Sequence, residues 1–127
     1  MPQKQLDIIR NLDKVWLIKP DESLEIASHG DGEPFTLDEI RRLLNLPTLR
    51  GGGSVEIHWL FEGWTDEQKL LYDDNEMVYT IMVVNEDAQL LGMPINNVAV
   101  AVWTFFKGYQ TPIAGDVVVM PAKLFPE

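Results

Sequence analysis

The sequence predicts a compact α+β domain, a mainly antiparallel sheet of about five strands with one main helix, at about residues 37–45, packed on it. Three observations carry this expectation. Short apolar runs of strand length, rich in Val, Ile and Trp, recur between turn-forming residues. A single segment, Phe35–Ile40, carries the full signature of a helix start. No linker, internal repeat or low-complexity tract divides the 127 residues, so residues 1–127 form one domain. A chain of that length buries roughly two thirds of its unfolded surface, without a metal or disulfide.

Leu6, Ile9 and Leu12 stand at helical spacing, a short amphipathic helix within residues 1–14. Val15–Lys19 reads as a buried strand that turns at Pro20-Asp21, and Leu24–Ala27 returns as the second arm of a hairpin. Thr36 and Glu39 have the spacing of a capping box, with Phe35 and Ile40 placed as its hydrophobic staple. Leu37, Ile40, Leu43 and Leu44 form the apolar stripe of that helix, and Pro47 stops it. The glycines at 51–53 are followed by the alternating strand Val55–Phe61 rather than by the Gly-Lys-Ser/Thr and helix of a phosphate loop. Residues 62–76 form an acidic surface excursion, and Met77–Val84 is a strand apolar enough for burial on both faces, paired antiparallel with Val55–Phe61. Val98–Phe106 is ambiguous. Its β-branched residues at period two favour a strand, whereas Asn96 as cap and Gly108 as terminator favour a helix; the balance tips slightly to a strand. Ile113–Met120 is the last strand.

The net charge is −10, and it is uneven. Residues 21–39 hold seven acids and no Lys or Arg, and residues 62–76 hold six acids against Lys69 alone. Such a field repels nucleic-acid phosphates and favours a protein with a basic surface; it also serves solubility. The absence of cysteine removes disulfides, thiolate metal sites and a cysteine nucleophile. The charged first twenty residues are unlike a signal peptide, and no window of eighteen residues is apolar enough for the membrane, so a cytoplasmic protein is expected.

Asn85, Glu86 and Asn96 are the candidate ligand-binding residues. Their amides and carboxylate suit a polar pocket, and they equally suit a turn and a helix cap. Trp64, Asp66, Asp73, Asp74 and Glu76 are the candidate interface, an exposed tryptophan ringed by acids. Trp16, Trp59 and Trp103 lie in apolar runs and are expected in the core. The acids at 73–76 lack the spacing of a calcium loop, and the two histidines, His29 and His58, lie in no nucleophile motif, so neither a metal nor a cofactor is expected and no catalytic residue is assigned.

The run Val83-Val84-Asn85-Glu86-Asp87-Ala88, followed by Leu90, Gly92, Pro94 and Asn96, resembles the signature of a family of small proteins frequent in phages and bacterial mobile elements and defined as a domain of unknown function. Gly52, Gly53, Val55 and Glu56, and later Ile113 and Gly115, match its flanking segments. Gln89 stands where the family has Lys, and the 62–76 excursion is longer than the usual hairpin. The resemblance implies a mobile-element context and brings no reaction with it. The expected function is a non-catalytic accessory protein that binds another protein through an acidic surface. A small-molecule or nucleotide-binding protein is the alternative, and a metal-assisted hydrolase comes last. Self-association through an open sheet edge is compatible with the pattern.

Overall fold

The computed structural model describes residues 3–27, 34–44, 55–65, 67, 80–89 and 92–125. Five strands form one antiparallel sheet: β1 (Val15–Ile18), β2 (Leu24–Ala27), β3 (Val55–Trp59), β4 (Thr80–Asn85) and β5 (Val117–Pro121), in the spatial order β2-β1-β5-β4-β3. The expected hairpin pairs Val15 with Ala27, and β3 pairs with β4 as the pattern required. The strand from Ile113 begins later, at Val117, because Gly115 takes a positive φ of 77° and Ala114 makes only an isolated bridge to Ile95.

Helices lie on both faces. α1 (Gln3–Ile9) and α3 (Asn97–Lys107) cover the face formed by Trp16, Ile18, Met82, Val117 and Val119. α2 (Leu37–Leu43) covers the opposite face, formed by Val15, Leu17, Ile81, Val83, Val118 and Met120. This double cover explains why β5 is buried at every position and reads as an unbroken apolar run. α2 starts with the capping box expected of it: Glu39 N–H donates to Thr36 Oγ1 at 3.2 Å and Thr36 N–H to Glu39 Oε1 at 2.9 Å.

Two corrections concern helices. Val98–Phe106 is helical, not a strand, and at eleven residues α3 rather than α2 is the main described helix. Its buried residues are Val98, Ala99, Val102, Trp103 and Phe106, the stripe of a helix packed on a sheet. The valines at 98, 100 and 102 mimic strand alternation, but the ends decide the outcome. Asn96 caps the first turn, and Gly108, at φ 81°, closes the last with its N–H donating to Thr104 O.

Asn96 is fully buried. Its Oδ1 accepts Ala99 N–H at 3.1 Å, and its Nδ2 donates to Ile18 O and to Gly115 O, each at 2.9 Å. One amide therefore ties the end of β1, the approach to β5 and the start of α3. Replacing Asn96 with Ala leaves two buried carbonyls and one helix N–H without partners. Asn96→Ala is expected to cost about 2–4 kcal/mol in denaturant unfolding.

Asp116 sits partly buried just before β5, and burial raises its carboxyl above the usual aspartate range, with Lys19 opposing and Asp21 and Glu25 adding to the rise. A folded state that holds its proton more tightly than the unfolded chain loses stability as pH rises from the ordinary aspartate range through the raised value. Asp116→Asn is therefore expected to raise the melting temperature at neutral pH. It should change it little below the ordinary aspartate range.

Candidate functional site

A cleft of about 370 Å³ opens on the α3 side of the sheet, beside the edge strand β3. That volume lies near the lower end of the range for small-ligand sites. Four parts of the chain build it. Glu56 and His58 come from β3, where residues two apart share a face. Val84, Asn85 and Glu86 come from the end of β4 and its turn, followed by Ala88 and Gln89. Trp103 of α3 and residues 111–114 close the far wall.

His58 Nε2–H donates to Glu56 Oε1 at 2.9 Å, and the imidazole meets the Trp103 indole edge to face at 4.9 Å between ring centroids. Trp103 is only 6% exposed, and its indole N–H has no partner among the described residues. Lys107 Nζ lies 5.3 Å from the centre of the same indole ring and donates to Trp59 O, which holds the end of α3 against the end of β3. Gln89 Nε2 donates to Pro112 O at 2.9 Å, joining the turn after β4 to the far wall.

The turn at Asn85 is built as its sequence suggested. Asn85 Oδ1 accepts Asp87 N–H at 3.0 Å, and Asn85 O accepts Ala88 N–H. Its Nδ2 faces Met93 Sδ at 3.8 Å. Gly92, at φ 69°, lets the chain double back, and Gly115 N–H then donates to Pro94 O while Asn96 N–H donates to Ile113 O.

Of the three residues expected to bind a ligand, Asn85 and Glu86 line the cleft. Asn96 does not, because its whole amide is spent inside the fold. Trp64, expected as an exposed anchor, is half-buried: it packs on Phe61 and Phe106, and its Nε1–H donates to Phe106 O at 2.7 Å. Trp59 reverses the other way, from expected core to 47% exposed on the edge strand. Asp66, Asp73, Asp74 and Glu76 lie outside the described residues, as do the glycines at 51–53 and His29. Glu56, His58, Trp103, Gln89 and Thr111 join the site only in three dimensions. The one local trace of them is the Glu-x-His spacing in β3, which puts both side chains on one face.

Chemically, the lining offers two carboxylates, an imidazole bonded to one of them, an indole and neutral amides, and among the described residues no Lys or Arg. That set attracts a positively charged group and disfavours a phosphate. Among the described residues no three His, Asp or Glu side chains converge as a metal-holding set. No helix among them is long and apolar enough to cross a membrane.

Gly115 keeps this corner tight. A Cβ there would lie 2.9 Å from Met93 Sδ and 3.4 Å from Ala88 Cβ, on a backbone that already needs a positive φ. Gly115→Ala is expected to destabilise by about 1–3 kcal/mol and to move Met93 away from Asn85, seen as a shift of the Asn85 side-chain amide resonances.

No family model matches the chain, and neither the curated proteins nor the solved structures searched contain a protein similar to it.

Proposed function

We propose that this protein is a non-catalytic accessory protein, of phage or mobile-element type and acting in the cytoplasm, that binds a basic partner protein by taking a Lys or Arg side chain into the acidic cleft. One observation carries the proposal: the described lining holds the exposed carboxylates of Glu56 and Glu86, with the His58 ring bonded to Glu56, and Lys107, over the Trp103 indole, is not among the lining residues. An incoming guanidinium meets the exposed carboxylate oxygens of Glu56 and Glu86, whose geometry matches its N–H fork. The overall charge of −10 draws a basic protein towards this surface. The mobile-element context rests on the resemblance of the Asn85–Asn96 run.

The cleft volume also suits a small molecule held without a partner protein. With the same lining, that molecule would be a cation or a neutral polar compound rather than a nucleotide.

Titration with short Arg-containing and Lys-containing peptides, with mononucleotides as the contrast, separates these cases. The peptides are expected to shift His58 and Trp103 resonances and to bind more weakly as salt is raised. Glu56→Gln and Glu86→Gln should each weaken that binding roughly two- to fivefold, as half-exposed ion pairs do. Binding of free amines with no preference for the peptide form supports the small-molecule case. A response to mononucleotides with none to basic peptides would overturn both.

A further inference from the structure

Among the described residues β3 ends the sheet, and its outer side is built to pair. Leu60 N–H donates to Thr80 O, in the register that sets Trp59 opposite Ile81. In an antiparallel ladder alternate residues point their N–H and C=O towards the neighbouring strand. The backbone groups of Glu56 and His58 therefore face β4, and those of Val55, Ile57 and Trp59 face outward. Among the described residues only Trp59 O is engaged on that side, by Lys107 Nζ and Glu62 N–H. The side chains above this edge are apolar and open to solvent, Ile57 at 37% exposure and Trp59 at 47%.

We propose that two copies of the chain join through β3, antiparallel about a two-fold axis at Ile57, into one continuous sheet. The strand is self-complementary in that register. Ile57 meets Ile57 of the partner subunit, and Val55 meets Trp59 of the partner subunit, so the apolar face is covered twice over. On the opposite face Glu56 meets His58 of the partner subunit and His58 meets Glu56 of the partner subunit. Moving the axis by one residue sets Glu56 against its own copy, where like charges directly opposite are unfavourable, or sets His58 against its own copy, which loses both Glu56–His58 pairs. Ile57 contributes two backbone hydrogen bonds, one in each direction. Two more run from each Trp59 N–H to the opposing Val55 carbonyl. The carbonyl of Trp59 is already held, so the pair is smaller than a full five-residue ladder. Glu56 and His58 also line the cleft. The two clefts thus adjoin across the axis and form one longer acidic trough, open to an extended basic segment.

Sedimentation across a concentration series tests the pairing. The mass is expected to rise from 14.5 kDa towards twice that value. Because each copy carries −10, pairing should strengthen as salt is raised, the opposite of the cleft's binding to basic peptides. The Ile57 amide should exchange more slowly as concentration rises, while the Glu56 amide, already bonded to β4, should not. Ile57→Pro removes an outward N–H that β4 does not use, and Ile57→Lys buries a charge at the axis; either should leave a folded monomer. Glu56→Lys should weaken the dimer, and adding His58→Glu in the same chain should restore it. A chain that stays monomeric at all concentrations and salts overturns the proposal, and so does a dimer that survives Ile57→Lys. Neither result bears on peptide binding by the cleft.

Discussion

The buried amide of Asn96 is the constraint on which this fold depends. Its three hydrogen bonds connect the end of β1, the approach to β5 and the first turn of α3. A buried carbonyl without a partner costs more than a made hydrogen bond gains, so the geometry is set by avoidance as much as by attraction. Fixing these three points fixes where α3 crosses the sheet. It thereby fixes the position of Trp103 over His58. Gln5 adds a second tie on the same side, its Nε2 donating to Ala101 O and so joining α1 to α3.

The cleft follows from that placement. α3 is anchored at its start by Asn96 and at its end by Trp64 and Lys107, which reach its last carbonyls and the end of β3. Between the anchors the helix leaves the outer edge of the sheet uncovered where β3 begins. Glu56 and Glu86 stay solvated there, while Trp103 of the far wall is buried. Exposed carboxylates beside a buried aromatic wall are a place where charge recognition gains from reduced screening. At the same edge the outer backbone groups of Val55 and Ile57 have no partner among the described residues.

Legibility along the chain follows the range of the interactions. The capping box at Thr36 and Glu39 was readable because every partner lies within three residues. So was the Asn85 turn, whose side chain bonds Asp87. Val98–Phe106 fits both periods, and its caps at Asn96 and Gly108 decide for the helix once Asn96 is held by Ile18 O and Gly115 O, 78 and 19 residues away. Trp59 and Trp64 exchanged their expected places for a similar reason. Trp59 lies on β3, which has one neighbouring strand among the described residues, and it stays 47% exposed. Trp64 lies among polar residues but finds the last turn of α3.

The sequence alone determined the α+β class, the five-strand antiparallel pattern, the helix start at Thr36 and the turn at Asn85, because hydrophobic period, capping and turn chemistry act over a few residues. It also determined the acidic field, since charge is a sum over residues wherever they lie. Only the tertiary structure decided that Asn96 is a structural bolt and that Val98–Phe106 is a helix. Likewise it was the fold that brought Glu56, His58, Glu86 and Trp103 to one cleft. Those outcomes depend on contacts between segments far apart in the chain. No local pattern encodes which buried carbonyl an amide will meet.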